Sequence, residues 1–260
     1  MDIADPQFIG FLPILFLAAA AFFAGLLDSV AGGGGLISLP ATLVVGIPPH
    51  LALGTGKFMS SIGTTAAFIT YARNGAIVWR IVAVGIGFSF LGSAVGAETA
   101  LYLDNAVLGK IILFLLPVAA ALTFVPVRGR KNMAEPGKFV LYCVTPLTCS
   151  LIGFYDGFFG PGTGSFMLLA LHFFLGLHLI AASGTAKAFN LASNISGLVV
   201  FFINGKIYYY AAIPMAIANV AGNIVGSRLA LRQGPALVRK MLLISLTLLF
   251  ATLIWRYYIA

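Results

Sequence analysis

Two lysines and two aspartates occupy matching positions in the two halves of a strongly apolar chain. The sequence has 260 residues, of which 60% are hydrophobic and only 8% charged, yet Asp28 and Lys57 recur as Asp156 and Lys187. A charge near the centre of a bilayer costs roughly 2.5–3.5 kcal/mol on insertion scales. Because the chain carries this cost twice, we expect the four groups to hold a polar solute between the halves.

Hydrogen-bonding side chains follow each lysine at helical spacing. The positions three and seven residues after the lysines carry Ser60 and Thr64 in the first half, and Asn190 and Asn194 in the second. Residues at these spacings share one face of a helix, and each lysine, which follows a Gly-Thr pair, is predicted to open that helix. One cation beside two hydrogen-bonding groups suits an oxyanion. The alternatives are a lysine paired with a carboxylate for structure, or one that extends to the membrane interface.

Both aspartates are predicted to lie near the end of a long helix. One interpretation is structural: Asp28 pairs with Lys57 and Asp156 with Lys187, each within its own half, or the carboxylates cap broken helices. The other is functional: one aspartate carries a proton whose movement is coupled to that of an anion. The two interpretations are compatible, since an ion pair that opens when the solute arrives would serve both.

Glycine-rich breaks, Gly32 to Gly35 and Gly160 to Gly164, follow the two aspartates. Glycine costs about 1 kcal/mol inside a helix, so these runs indicate places where a helix stops. Non-helical backbone at membrane depth must line a cavity or be buried by protein. The short helix after each break would direct its N-terminus, which favours an anion, towards that cavity. The candidate binding groups therefore include Gly33, Gly34, Gly162 and Thr163.

The elements that position these groups are predicted membrane helices. Segments long enough to cross a bilayer, or nearly so, fall at about 9–31, 50–72, 77–102, 107–126, 138–157, 181–204, 207–231 and 237–258. Two shorter apolar segments, at about 36–47 and 164–178, each follow a glycine break. The predicted fold is an all-α polytopic membrane protein of two repeats, each with four long transmembrane helices and one short broken or re-entrant helix. The first repeat spans 1–127, a cytoplasmic linker 128–137, and the second repeat 138–260.

Basic residues predict the orientation of these helices. If each long and short pair goes in and returns, most lysines and arginines fall on one side, which should be cytoplasmic. Both termini are then periplasmic. The net charge of +8 is accordingly interpreted as loop charge, with no nucleic-acid partner. Five crossings per half, an odd number, would make the two repeats inverted copies.

An internal duplication extends beyond the charged residues. At an offset of 130, identical residues include Gly54, Thr55, Lys57, Asn74, Gly92 and Gly96, matched by Gly184, Thr185, Lys187, Asn204, Gly222 and Gly226. At an offset of 128, the matches are Gly25, Asp28, Gly32 and Gly34 with Gly153, Asp156, Gly160 and Gly162. Shared hydrophobicity would not align lysines, aspartates and glycines, so the repeat is a true duplication. The paired Gly-x-x-x-Gly motifs predict helix packing.

The same segments resemble a known family of permeases. The run Gly153 to Phe166, which reads GFYDGFFGPGTGSF, is similar to the second-half signature of the TauE/SafE sulfite exporter family. The runs Ala31 to Gly35 and Gly54 to Lys57 resemble its first-half signature, and Lys187 to Asn194 also matches. The resemblance covers nearly the whole chain.

This resemblance implies a bacterial inner-membrane permease for small anions, with sulfite and organosulfonates such as sulfoacetate as the associated substrates. It places Asp28, Lys57, Asp156, Lys187, Asn190 and Asn194 on the marked positions of the family. The first half has Ser60 and Thr64 where the second has the two asparagines, so the site is only pseudo-symmetric.

The resulting hypothesis is an anion transporter that alternates access at a midplane site between the repeats. No cofactor or metal is expected, and the partners are the solute and the lipid bilayer, with homo-oligomerisation left open. A first alternative is a cation or proton carrier that uses Asp28 and Asp156, although two buried lysines would repel a cation. A second is a membrane enzyme or redox carrier, for which Cys143 and Cys149, six residues apart, form no suitable pair.

Overall fold

Helices make up the architecture, in agreement with the predicted fold class. A computed structural model describes residues 10–123 and 137–234, together with residues 236, 237 and 240. Within those residues the chain forms α-helices and no strand. In chain order they are α1 (Phe11–Ala31), α2 (Gly35–Val44), α3 (Pro49–Arg73), α4 (Trp79–Leu101), α5 (Asn105–Thr123), α6 (Thr145–Phe158), α7 (Thr163–Phe173), α8 (Leu179–Ile203) and α9 (Tyr209–Gln233).

The long helices fall on seven of the eight predicted segments, and the eighth, 237–258, lies almost wholly outside the described residues, as does the linker. A π-helical turn, Val140–Val144, precedes α6 and extends that segment. By length and composition, α1, α4 and α8 are apolar enough to cross a membrane. Both α3 and α9 have 25 residues but are less apolar, because they bury polar side chains such as Lys57 and Asn223. The chain is thus a multi-pass membrane protein.

The glycine breaks interrupt helices where predicted. The helices that follow them, α2 and α7, have 10 and 11 residues, or about 15 Å at 1.5 Å per residue. That length is half of a hydrocarbon core roughly 30 Å thick. Gly32, with φ of 80°, and Gly160, with φ of 93°, adopt the left-handed conformation at which α1 and α6 end. The short segments are therefore half-length helices.

Helices of one half pack against helices of the other. The Gly-x-x-x-Gly faces mediate this contact, as predicted: Gly222 and Gly226 of α9 lie against backbone of α1, and Gly92 and Gly96 of α4 lie against backbone of α6. The glycines allow backbones to approach at distances that a Cβ atom would prevent. As a result, α9 packs on α1 and α3, while α4 packs on α6 and α8.

One hydrogen bond recurs at equivalent positions of the two halves. The Tyr208 backbone N–H donates to Thr55 Oγ1 at 3.0 Å, and the Val78 N–H donates to Thr185 Oγ1 at the same distance. The glycine before each threonine touches backbone of the other half, Gly54 at Lys206 and Gly184 at Ala76.

The sequence predicted that each lysine opens its helix, and this prediction is wrong. The glycine contacts explain why a Gly-Thr pair lies inside each helix instead. The helices α3 and α8 begin at Pro49 and Leu179, so Lys57 and Lys187 lie about two turns inside them. The Gly-Thr pairs are helix-packing positions within a continuous helix, because the absent side chain of glycine permits the close approach of the other half.

Candidate functional site

The four charged groups form two ion pairs, and each pair joins the two halves. Lys57 Nζ lies 2.7 Å from Asp156 Oδ2, and Lys187 Nζ lies 2.8 Å from Asp28 Oδ2. The alternative of ion pairs within each half is wrong, because the interleaved helices bring α3 beside the break after α6, and α8 beside the break after α1. All four side chains are mostly shielded, with exposures of 7% and 3% in the first pair and 2% and 15% in the second.

The Lys57 ammonium also binds an amide chain on α8. Lys57 Nζ donates to Asn194 Oδ1 at 3.2 Å, and Asn194 Nδ2 donates to Asn190 Oδ1 at 3.3 Å. An ammonium can only donate, so Asn194 must present its oxygen to Lys57 and its NH₂ group to Asn190. The oxygen of Asn190 is thereby occupied, which leaves the Asn190 NH₂ group available as a donor.

A cavity of about 50 Å³ lies at the first ion pair. That volume holds a few water-sized groups, since one water needs roughly 10–15 Å³ on this measure. The predicted site residues that line it are Asp28, Lys57, Ser60, Asp156, Thr163, Asn190 and Asn194. These residues come from α1, α3, α6, α7 and α8, so both halves contribute to the cavity wall.

The remaining predicted residues lie near the cavity but are not among its lining residues. Lys187 reaches it only through its ion pair with Asp28. Thr64 is buried, and its Oγ1 has no hydrogen-bond partner. Gly33, Gly34 and Gly162 were predicted as binding groups, but they do not line the cavity. The glycines of the two breaks that line it are their neighbours Gly32, Gly35, Gly160 and Gly164.

Contacts of the glycine runs explain this shift of one or two positions. The side of Gly34 that would bear a Cβ atom faces Asp28 Cβ at 2.7 Å, so this residue packs back onto α1. Gly32 and Gly164 touch backbone to backbone, which places the two breaks directly against each other. Composition predicted each glycine run, but the contact between Gly32 and Gly164 determines which glycines of the run face the cavity.

Polar residues of α2 were not predicted as site residues. Ser38 and Thr42 line the cavity with Gly35 and Leu39, at spacings that place all four on one helical face. The Ser38 and Thr42 hydroxyls donate to backbone carbonyls of their own helix. The sequence feature that could have identified Ser38 and Thr42 as site residues is their spacing of four positions within an apolar segment.

Comparisons with known proteins agree with the membrane-embedded site. Residues 17–253 match the family described as "Sulfite exporter TauE/SafE". A "Probable membrane transporter protein" of Haemophilus influenzae is 34% identical over 248 residues, which cover 95% of this chain and 96% of that protein.

Two further relatives have similar coverage. "Probable membrane transporter protein ORF9" of Sinorhizobium sp. is 36% identical, covering 92% of this chain and 91% of its own. "Probable membrane transporter protein YfcA" of Escherichia coli K12 is 33% identical, covering 94% and 90%. No solved structure matches the chain significantly.

The family match spans both halves, including both ion pairs and both glycine breaks that surround the cavity. The relatives align over nearly their entire lengths, so the similarity extends to the whole helical architecture. The resemblance of the glycine and lysine motifs is thereby confirmed, and the chain belongs to the TauE/SafE sulfite exporter family, a family of membrane transporters rather than enzymes.

Proposed function

We propose that this protein transports a small anion, sulfite or an organosulfonate, across the bacterial inner membrane, and that the cavity beside Lys57 binds it. The observation that best supports this proposal is the position of the Lys57 ammonium. It lies at the cavity wall, 2.7 Å from the Asp156 carboxylate and 3.2 Å from the Asn194 amide oxygen. An anion that enters the cavity can replace Asp156 as the partner of this ammonium. The "sulfite exporter" description of the family supports the choice of a sulfur oxyanion.

The amide chain supports an anion over a cation. The bond from Lys57 fixes the orientation of Asn194, which in turn donates to the oxygen of Asn190 and leaves the Asn190 NH₂ group to donate to a solute. Ser60 adds a hydroxyl group to the same wall, whereas the Thr163 hydroxyl donates to the Gly160 carbonyl at 2.7 Å. The Lys57 ammonium and the Asn190 NH₂ group are hydrogen-bond donors, and the oxygens of sulfite or a sulfonate accept hydrogen bonds.

Charge balance supports a proton as the coupled ion. The two lysines and two aspartates sum to zero when all four are ionised, and a monovalent anion adds one negative charge. If the anion displaces Asp156 from Lys57, protonation of that carboxylate restores neutrality in a site where an unpaired charge is costly. One proton would then accompany each anion charge.

The paired contacts of the two halves support alternating access by inverted repeats. The ion pairs, the threonine hydrogen bonds and the glycine packing faces all occur twice, each linking one half to the other. A site at the interface of two such repeats is exposed to one side and then the other when the repeats rock. We assign the basic loops to the cytoplasm, which places the amino terminus in the periplasm; the same scheme places the carboxyl terminus there too.

A flux assay in proteoliposomes tests the proposal. We expect saturable uptake of sulfite or of a small sulfonate from a panel of sulfur oxyanions, sulfonates and carboxylates, with a rate that responds to an imposed pH gradient. Asn190→Asp, which replaces the NH₂ donor with an acceptor, should weaken apparent affinity by roughly tenfold or more, since hydrogen bonds to charged groups contribute about 1.5–3 kcal/mol. Asn204→Asp, the same change at an exposed residue just after the end of α8, is the matched control.

The cation-carrier alternative gives the opposite result in the same assay. A cation or proton carrier would show flux that depends on a metal ion or on pH alone, with no anion required. Uptake that is unaffected by every anion of the panel would contradict the proposal. Transport retained in a Cys143→Ala, Cys149→Ala variant would separately contradict the redox alternative, and no cysteine is among the residues that line the cavity.

A further inference from the structure

The last carbonyls of α1 are bound by hydroxyl groups from other helices. Tyr71 Oη, near the end of α3, donates to the Ser29 carbonyl at 2.9 Å. Ser183 Oγ, near the start of α8, donates to the Val30 carbonyl at 3.0 Å. The final carbonyls of a helix have no partner within it, so these two bonds attach the end of α1 to both halves of the protein.

The two hydroxyl groups also meet each other. Tyr71 Oη and Ser183 Oγ are 3.1 Å apart, and the two residues are fully or almost fully buried. A third hydroxyl, Ser165 Oγ of α7, donates to the Ala31 carbonyl at 2.6 Å. Together these contacts form a closed polar layer between α1, α3, α7 and α8.

The equivalent positions on the other side are apolar. At the offset of 130, Tyr71 corresponds to Phe201 and Ser183 corresponds to Leu53. Leu53 lines the cavity, and it shares a hydrophobic cluster with Phe201 and Phe159. The duplicated positions thus carry hydrogen-bonding groups where the protein is sealed and hydrocarbon groups where the cavity lies.

The cavity itself follows only one of the two equivalent routes. It runs along Thr42 of α2 and Gly56 of α3. At the offset of 130, the counterpart of Gly56 is Ala186 of α8, which is 1% exposed and is not among the lining residues. The cavity therefore lies beside α3 on one side of the ion pairs, whereas the equivalent position of α8 is packed.

We propose that Tyr71 and Ser183 form a gate that is closed in this structure, and that Leu53 and Phe201 form its apolar counterpart on the side where the cavity lies. The inference rests on the alternating access of the proposed function. To open the closed side, the hydroxyls of Tyr71 and Ser183 must leave the carbonyls of Ser29 and Val30.

The gate is linked directly to the second ion pair. Ser183 and Lys187 lie one turn apart on α8 and hold adjacent parts of α1, the Val30 carbonyl and the Asp28 carboxylate. Neutralising Asp28 removes one of these two attachments. Loss of the ion pair between Lys187 and Asp28 would therefore favour release of the end of α1 and opening of this gate.

Single-cysteine reporters at equivalent positions test the gate. In the full chain with Cys143→Ala and Cys149→Ala, one variant carries Gly56→Cys and another Ala186→Cys. A Cβ atom at Gly56 would meet open space, so the first change is easily accommodated. The measured quantity is the rate at which a membrane-impermeant maleimide labels each thiol in sealed vesicles of each orientation.

We expect rapid labelling at position 56 and slow labelling at position 186, from opposite sides of the membrane. Tyr71→Phe removes one hydroxyl with little change in shape and should raise the rate at position 186 by about two- to tenfold, the population shift expected for one hydrogen bond. Ser183→Ala should do the same. Tyr102→Phe, at a residue that is 86% exposed, should change neither rate.

Unchanged labelling at position 186 in both Tyr71→Phe and Ser183→Ala, with position 56 still reactive, would overturn the gate assignment. A lower rate at position 186 would overturn it equally. Labelling requires no solute, so the gate can stand even if the flux assay finds no anion uptake. Conversely, if anion uptake is observed but labelling at position 186 is unchanged, the proposed function is supported and the gate is not.

Discussion

The two ion pairs are built from the same residue types, yet their surroundings differ. Lys57 and Asp156 lie at the cavity, and Asn194 completes the coordination of the ammonium. In the other pair, Asp28 lines the cavity but Lys187 does not, and the residue equivalent to Asn194 is Thr64, whose hydroxyl has no partner. Duplication supplied two copies of the charge pair, and substitutions around them directed one lysine to the cavity.

This difference separates the roles of the two lysines. We propose that Lys57 binds the solute, because its ammonium lies at the cavity and is already hydrogen-bonded to Asn194. Lys187 is placed to hold α1, because its carboxylate partner lies at the end of that helix and Ser183 binds the same segment. Substitutions that affect one ion pair and spare the other test whether the two lysines have different roles.

Lys57→Met should have the largest effect, abolishing anion uptake in proteoliposomes. The change removes the cation at the cavity and leaves Asp156 without its partner, so a loss of folding must be distinguished from a loss of binding. The double variant Lys57→Met, Asp156→Asn removes both charges and should fold but still fail to transport. Lys187→Met, paired with Asp28→Asn, should also abolish uptake, through gating. Full transport by both lysine variants would contradict the site.

Paired substitutions test the cross-half pairing through stability. Lys57→Met with Asp156→Asn removes a pair as a unit, whereas Lys57→Met with Asp28→Asn leaves Asp156 and Lys187 each without its partner. Breaking one buried pair by removing one group costs about 3–5 kcal/mol, and the second variant breaks two pairs, so it should be the less stable by at least this amount. Unfolding in detergent by heat or denaturant measures the difference. Equal stability would indicate that pairing within each half is possible after all.

Glycine positions in α3 offer a smaller contrast. Gly54→Ala places a methyl group against the Lys206 backbone and should destabilise the protein by about 1–3 kcal/mol, the usual cost of overpacking. Gly56→Ala meets open space and should be neutral or slightly stabilising. Because Gly56 lines the cavity, the same change should reduce uptake. Similar stability in both variants would contradict the close approach of the halves at Gly54.

The smallest effects should come from the recurring threonine hydrogen bonds. Thr55→Val and Thr185→Val each leave one backbone N–H without its acceptor and should each cost about 1 kcal/mol. The two losses should be equal in an unfolding measurement, because the bonds have the same length and lie at equivalent positions of the two halves. A large effect in only one half would show that the halves differ at the helix starts as well as at the ion pairs.

Much of the fold could be predicted because it follows from local patterns. Apolar length predicted the long helices, glycine composition predicted the breaks after Ala31 and Phe158, and the Gly-x-x-x-Gly motifs predicted the packing faces. The apolar segment 50–72 predicted the bounds of α3 to within one residue, whereas the expectation that Lys57 opens this helix was wrong, since the Gly-Thr pair before Lys57 resembles a helix opening. Only contact with Lys206 of the other half explains why glycine occurs inside that helix.

The sequence predicted which residues belong to the site better than it predicted how those residues are arranged. Asp28, Lys57, Asp156, Asn190 and Asn194 were identified by charge, spacing and family resemblance, and all five line one cavity. The gate residues Tyr71 and Ser183 carried no sequence signal, because a tyrosine near a helix end is ordinary. Their importance comes from the carbonyls they reach, which lie 42 and 153 positions away.

Hydropathy, internal repeats and residue identity are properties of the linear chain, so they were sufficient to predict a membrane protein, its duplication, and one buried lysine and one aspartate in each half. The partner of each lysine, the glycines that face the cavity and the side of the ion pairs on which the cavity lies are seen only in the folded molecule. Those outcomes depend on the packing of α4 and α9 against the opposite half, and a contact between distant segments is set by the shapes of both surfaces together.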